Sequence, residues 1–152
     1  MPNILILAIG KMKQGPMADA MAEYQKRLRW KLTVREFDFK DTNPNKLRDK
    51  ESQALLAAIP EGYRVIACDE RGKETSSMDF AHKIEHWQNN ESHNLAFLIG
   101  GANGHTDFVR KKADFLLSFG RMTWPHMMAR VMLVEQLYRA QQIMAGHPYH
   151  RE

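Results

Sequence analysis

The chain has 152 residues, a length typical of one domain, so we predict a single domain over residues 1–152. Apolar residues make up 43% and charged residues 26%, which argues against a disordered chain, a fibrous repeat or a membrane protein. The net charge of +4 is unevenly spread: it is +5 over residues 1–50, −3 over 51–120 and +2 over 121–152. This pattern fits an anionic partner without identifying one.

Cys68 is the only cysteine, so no intrachain disulfide can form, and a reducing compartment is expected. The apolar run from Ile4 to Ile9 is too short for a membrane span or for the core of a signal peptide. We therefore expect a cytoplasmic location and no membrane association.

Apolar runs alternate with helical patterns along the chain. Strands are predicted at residues 4–8, 32–39, 64–69, 94–99 and 115–119. Helices are predicted around Met17 to Leu28, from Pro44 to about Ile59, after Ser76, after His105 or Thr106, and from Ala129 to Ala145. This alternation predicts an α/β fold, with a mostly parallel sheet and flanking helices.

The second predicted strand leaves one question open. Leu32, Val34 and Glu36 share one face, whereas Phe37 and Phe39 share the other. The alternation indicates a strand, but it does not decide which face is buried.

Three loops follow the predicted carboxyl ends of strands three, four and five, where ligands bind in open parallel sheets. They are residues 69–73, 100–104 and 120–126, and the middle one has the sequence Gly-Gly-Ala-Asn-Gly, which allows close approach of backbone to a ligand. The chain lacks the dinucleotide, phosphate-loop and serine-hydrolase motifs.

Two histidine pairs have spacings that resemble those of metal ligands. His82 and His86 are four residues apart on a predicted helix, and His147 and His150 lie in the tail. Neither pair has the additional ligands of a zinc site, so we predict no metal. The tail, His-Pro-Tyr-His-Arg-Glu at 147–152, is unusual for a terminus because it combines groups that recognise nucleobases and phosphates.

Four segments together resemble the RlmH family: the loop at 100–104, Trp-Pro-His at 124–126, Glu-Gln-Leu-Tyr-Arg-Ala at 135–140, and the final six residues. The resemblance spans the whole chain. It implies a SPOUT-class methyltransferase that uses S-adenosylmethionine to methylate N3 of a pseudouridine in 23S ribosomal RNA, either free or in the assembled ribosome. It also implies a homodimer and a C-terminal trefoil knot, whereas the residue pattern alone suggests an unknotted doubly wound sheet.

The resemblance also implies a set of cofactor-binding positions on the three loops. They are Cys68, Gly101, Gly120, Arg121, Met122, Thr123, Trp124 and Pro125. The cysteine stands where the family often has leucine, and Ala102-Asn103 replaces a frequent Pro-Glu.

For the substrate, we hypothesise that Tyr149, His150 and Arg151 hold the base and phosphate, with support from Arg139. The N3 proton must leave, and the candidate acceptors are His150 and His126; the latter can equally serve to shape the loop after Pro125. Because the chain is small, the tail of one subunit is also a candidate to complete its partner's site.

Two other functions are compatible with the residues. One is a non-catalytic RNA-binding module that assists ribosome assembly, because phosphate contacts from the basic ends would serve it equally well. The other is a methyltransferase that acts on small molecules. Cofactor affinity tests the first, and activity on free nucleosides tests the second.

Overall fold

A computed structural model describes residues 1–151 of the chain. Five strands form one sheet in the order β2-β1-β4-β3-β5, and all neighbouring strands are parallel. The strands are β1 (Asn3–Ile9), β2 (Lys31–Phe37), β3 (Arg64–Glu74), β4 (Asn94–Ile99) and β5 (Phe115–Ser118). The prediction of an α/β fold with a parallel sheet is confirmed.

Helices cover both faces of the sheet. They are α1 (Pro16–Arg27), α2 (Pro44–Ala57), α3 (Ser77–Asn90), α4 (Asp107–Lys112) and α5 (His126–Met144). Met21, Ile84 and Leu137 bring α1, α3 and α5 into the core on one face. Leu55 and Val109 bring α2 and α4 into the core on the other. The central strands β1 and β4 are therefore apolar along almost their whole length, as expected for strands buried on both sides.

The edge strand β2 resolves the question of which face is buried. Leu32 and Val34 pack partly against one core, and Phe37 packs partly against the other. Both faces are thus half covered. Glu36 shares the face of Leu32 and Val34 because strand residues two apart point to the same side, and its charge is compensated there by Arg130 of α5.

Strand β3 is longer than the predicted strand, which ended at Asp69, because it continues to Glu74. Cys68 and Lys73 both lie opposite Leu117 of β5, so the four residues between them bulge out of the sheet. This bulge forms one of the three predicted loops. Because the residues of the bulge are polar, the apolar pattern did not indicate that the strand continues beyond them.

Helix α5 begins three residues before its predicted start at Ala129. Pro125 takes the N-cap position, and its carbonyl oxygen accepts the first helical hydrogen bond from the Ala129 N–H at 2.9 Å. The trefoil knot implied by the family resemblance stays a prediction.

Candidate active site

A cleft of about 550 Å³ opens at the carboxyl ends of β3, β4 and β5, a volume typical of small-molecule sites. The three predicted loops form its walls. Seven of the eight predicted cofactor positions line it, and the exception is Arg121, which lies exposed on the third loop. One predicted catalytic residue, His126, also lines this cleft.

Gly101 is packed so closely that no larger residue fits without movement. A Cβ atom at this position would lie 3.0 Å from Glu51 Oε2 and 3.0 Å from Ile9 Cγ2. The loop closes tightly because Gly104, whose φ is +74°, donates its N–H to the Gly101 carbonyl at 3.0 Å. Backbone, rather than side chains, therefore forms this wall of the cleft.

The third loop is tied to the bulge of β3. Thr123 Oγ1 donates to the Glu70 carboxylate at 2.7 Å, and Ser118 Oγ accepts the Gly120 N–H at 3.1 Å. Met122 is 73% exposed and Trp124 40% exposed at the rim. The loop thus presents apolar surface beside the cleft, which suits a planar aromatic ligand.

The floor of the cleft contains groups whose charges are compensated or suppressed. Arg110 Nε donates to Asp69 at 2.7 Å. Burial, reinforced by Asp69, raises the pKa of the Cys68 thiol to about 12, so this thiol is not a thiolate nucleophile. Burial also lowers the pKa of His105, a residue that is 2% exposed.

Arg130 is the main residue of this region that the sequence analysis missed. Its side chain is 1% exposed and pairs with Glu36, while its Nη2 donates to the carbonyl oxygens of Ile9 at 3.3 Å and Gly10 at 3.0 Å. Burial alone would raise the pKa of Glu36, but the Met12 N–H and Arg130 outweigh it and lower that pKa. Arg130 thus joins the start of α5 to the ends of β1 and β2. The sequence offered one signal for this pair, because Glu36 is a charged residue on the strand face that also carries Leu32 and Val34.

His126 precedes Arg130 by four residues on α5, and its side chain packs against Gly10. A Cβ atom on Gly10 would lie 3.2 Å from His126 Nε2, and the φ of that glycine is +93°. Burial, followed by the charge of Arg130, lowers the pKa of His126. The imidazole is therefore neutral at neutral pH and available as a proton acceptor.

The other predicted catalytic residues form a second cluster on the C-terminal half of α5. Arg139 Nε donates to Glu135 at 2.9 Å, and Arg139 Nη1 lies 3.1 Å from His150 Nδ1. The Tyr149 hydroxyl donates to the same carboxylate at 3.3 Å. Burial, followed by Glu135, raises the pKa of Tyr149 to about 12, so its hydroxyl keeps its proton. Arg151 is exposed beside this cluster.

The two groups of predicted site residues lie far apart within one chain. Glu135 and Arg139 follow His126 on α5 by 9 and 13 residues, which places them roughly 14 and 20 Å further along the axis. At about 100° per residue, both point to the side of the helix away from His126. One chain alone does not bring the cleft and the tail together.

The histidine pairs form no metal centre in residues 1–151, where no group of three or more His, Cys, Asp or Glu side chains is placed to hold an ion. His86 instead contacts Asn90 at 3.2 Å. Within the same range, no helix has the length and apolar character that a membrane crossing requires.

Comparisons with known proteins agree with this architecture. Residues 2–150 match the family described as "Predicted SPOUT methyltransferase". The chain is 49% identical to "Ribosomal RNA large subunit methyltransferase H" from Paramagnetospirillum magneticum over 98% of this chain and 99% of that protein. A "probable methylase family protein" from Haemophilus influenzae has a similar fold, with a TM-score of 0.58 at 12% identity, over 99% of this chain and 71% of that one.

Another similar structure is the SpoU methyltransferase AviRb from Streptomyces viridochromogenes, solved with the cofactor AdoMet. Its TM-score is 0.49 at 15% identity, and the match covers 93% of this chain but only 58% of that longer one. The family match extends over almost the entire chain, and the sequence relative is similar from end to end. The chain therefore belongs to the SPOUT methyltransferase family, in the group of the ribosomal RNA large subunit methyltransferase H proteins.

Proposed function

We propose that the protein transfers a methyl group from S-adenosylmethionine to N3 of a pseudouridine in 23S ribosomal RNA. The observation that carries the proposal is the glycine-walled cleft at the carboxyl ends of three parallel strands, in a chain that also holds a polar aromatic tail. The name of the similar P. magneticum protein supports the class of substrate. The choice of N3 and of pseudouridine rests on the family resemblance of the sequence motifs.

The residues of the cleft fit this cofactor. Its volume of about 550 Å³ accommodates a nucleoside, and Gly101 leaves only backbone at the wall. Trp124 and Met122 offer apolar surface to an adenine ring. When bound, the cofactor supplies a methyl group on a positively charged sulfur, ready for in-line displacement. The remaining catalytic task is to position the nucleophilic nitrogen.

We assign that positioning to the tail. The Tyr149 hydroxyl keeps its proton because of its raised pKa, so it can donate to an acceptor on the base. Arg151 is exposed, as a group that binds an RNA phosphate must be. Arg139 stacks on the Tyr149 ring at 4.8 Å and holds both it and His150 in place.

The N3 proton requires an acceptor, and two imidazoles are candidates. His126 lines the cleft and is neutral at neutral pH because of its lowered pKa. His150 belongs to the tail cluster and contacts Arg139. His126→Asn and His150→Asn separate the two roles: loss of the acidic limb of the pH–rate profile identifies the acceptor.

We also propose that the active site is shared between two subunits of a homodimer. The cleft and the tail cluster point away from each other on α5, so the tail of one subunit would complete the cleft of its partner. A cytoplasmic location follows from the proposed ribosomal substrate.

A mixed-dimer experiment tests the shared site. Gly101→Val should disable the cleft, and Arg151→Ala should disable the tail. Neither homodimer is then active, but a heterodimer of the two combines one intact cleft with one intact tail. Recovered methylation supports the shared site, and an inactive heterodimer contradicts it.

The reaction itself is tested with purified protein, labelled S-adenosylmethionine and either free 23S ribosomal RNA or assembled ribosomes. Mass mapping should find one new methyl group on one pseudouridine. A non-catalytic assembly module would bind RNA but neither transfer the methyl group nor bind the cofactor in calorimetry. Methylation of free nucleosides would instead indicate a small-molecule enzyme.

A further inference from the structure

Arg48 reaches the cleft from outside the three predicted loops. It lies on α2, on the opposite side of the sheet from α5, and it lines the cleft beside the loop of residues 100–104. Its side chain is partly buried, whereas Arg71, across the same cleft, is exposed. The family resemblance assigned no role to this position.

The guanidinium of Arg48 has almost no partners within residues 1–151. Its Nε is buried and makes no hydrogen bond, and its Nη2 makes a long contact of 3.4 Å with Asn45 Oδ1. No carboxylate in the described chain forms an ion pair with it. Arg110, in the same cleft, differs because it pairs with Asp69 at 2.7 Å and Asp107 at 2.6 Å. Buried donors are ordinarily satisfied, so Arg48 has unused capacity to bind an anion.

A neighbouring carboxylate does not use this capacity. Glu51 follows Arg48 by one turn of α2, but it is 5% exposed and lies behind Gly101, and it is not part of the cleft lining. Its Oε1 also makes no hydrogen bond. Arg48 therefore lines the cleft without forming an ion pair with the acidic residue one turn further along its own helix.

The geometry points to a small ligand rather than to RNA. A partly buried donor in the cleft wall is reached by a molecule that fills the cleft, while a phosphate backbone would first meet exposed cations such as Arg71. A planar guanidinium is suited to a carboxylate, which can accept two parallel hydrogen bonds. The proposed cofactor carries one carboxylate, on its amino-acid end.

We propose that Arg48 binds the carboxylate of the amino-acid end of S-adenosylmethionine and so selects nucleosides that carry this group. This inference rests on the proposed function, because it assumes that the cleft holds that cofactor. It adds a binding residue from α2 to a site otherwise built from the three loops.

The test compares two ligands that share the adenosine part. S-adenosylhomocysteine carries the carboxylate, whereas 5′-methylthioadenosine lacks the whole amino-acid end. Both affinities are measured by calorimetric titration of the full chain. Arg48→Gln should lower the affinity for S-adenosylhomocysteine about 10-fold or more and change the affinity for 5′-methylthioadenosine less than about twofold. Arg48→Lys, which keeps the charge but loses the planar fork, should fall between wild type and Arg48→Gln.

Lys46→Gln is the matched control, since it removes an exposed cation of α2 that does not line the cleft, and it should leave both affinities unchanged. Equal weakening of both ligands by Arg48→Gln would overturn the inference, because Arg48 would then act through the shape of the cleft. Unchanged affinities with a raised KM for ribosomes would also overturn it, in favour of an RNA phosphate. A wild-type protein that binds neither ligand would contradict the proposed function itself.

Discussion

The two ends of α5 are built on different principles. At its N-terminal end, Arg130 is fully buried and holds the backbone of Gly10, against which His126 packs. At its C-terminal end, Glu135 and Arg139 form an ion pair that is 16% and 24% exposed and that carries the tail. The N-terminal end is therefore fixed by polar contacts of a buried side chain, whereas the tail is held by polar contacts between partly exposed side chains.

Because of this difference, we expect substitutions at the two ends to affect the stability of the fold and the reaction with RNA to different extents. Changes at the buried end leave cavities, clashes or uncompensated charges, so they should damage folding and cofactor binding together. Changes in the tail remove contacts that water can replace, so they should affect the reaction with RNA far more than the fold. Substitutions at both ends, ordered by their expected effect on stability, test this separation.

The largest effect is expected for Arg130→Met. The change removes the ion pair with Glu36 and the bonds to the carbonyl oxygens of Ile9 and Gly10, at a cost of about 3 kcal/mol. Urea denaturation measures this loss. The control is Arg64→Met, which breaks a more exposed ion pair with Glu91 at the opposite end of the sheet, and it should cost about 1 kcal/mol or less. Equal losses would contradict a special role for the buried end.

Gly101→Ala should have the next largest effect. Its Cβ would meet Glu51 and Ile9 at 3.0 Å, so overpacking should cost roughly 1–3 kcal/mol and weaken cofactor binding. Thermal unfolding and calorimetry measure the two losses. Asn103→Ala, at an exposed position of the same loop, is the control for stability and should leave thermal unfolding unchanged. If Gly101→Ala were as stable as wild type, the loop would be more adaptable than its packing indicates.

Much of this architecture could be predicted from the sequence. Each strand and helix leaves a local apolar pattern, and glycines mark the loops at the carboxyl ends, so the cleft could be anticipated. The order of strands in the sheet and the Arg130–Glu36 pair could not, because they depend on contacts between distant segments; the pair is 94 residues apart. The bulge of β3 was missed because its residues are polar. The tail was noticed from its composition, but its separation from the cleft depends on the length of α5.

Acid should destabilise the cleft end through two imidazoles, of which His105 is buried and His126 is half-buried. Burial lowers the pKa of His105, although Asp69 and the Leu98 carbonyl act in the opposite direction. As the pH falls, the imidazole of the unfolded chain takes up a proton near pH ~6.5, whereas the folded chain takes it up only at lower pH. The free energy of unfolding should therefore decrease below about pH 6.5, by at most about 1.4 kcal/mol per pH unit for each such proton. His126 should act in the same direction, because burial and Arg130 lower its pKa. Urea midpoints from pH 7.5 to 5.5 measure the slope, and His105→Gln should reduce it. The same slope in wild type and variant would assign the acid sensitivity to other groups.

Tyr149→Phe should have a smaller effect on the fold. It removes a hydrogen bond of 3.3 Å to Glu135, at a cost of about 1 kcal/mol, and keeps the ring packed against Tyr138 at 4.8 Å. If the hydroxyl donates to the base, methylation of ribosomes should fall at least about 10-fold while cofactor affinity stays unchanged. A proportional loss of cofactor affinity would show that the tail supports the cleft within the same chain.

Arg151→Ala should affect stability least, because the side chain is exposed and its removal should change the free energy of unfolding by less than about 0.5 kcal/mol. It should nevertheless abolish RNA methylation, since no other residue of the tail supplies the proposed phosphate contact. Arg151→Lys, which keeps the charge, should recover part of the rate and should leave the salt dependence of ribosome binding closer to that of wild type. If Arg151→Ala and Tyr149→Ala both methylated RNA at the wild-type rate, the tail would have no part in the reaction. The catalytic groups would then have to be sought at the buried end of α5, where His126 is the remaining candidate.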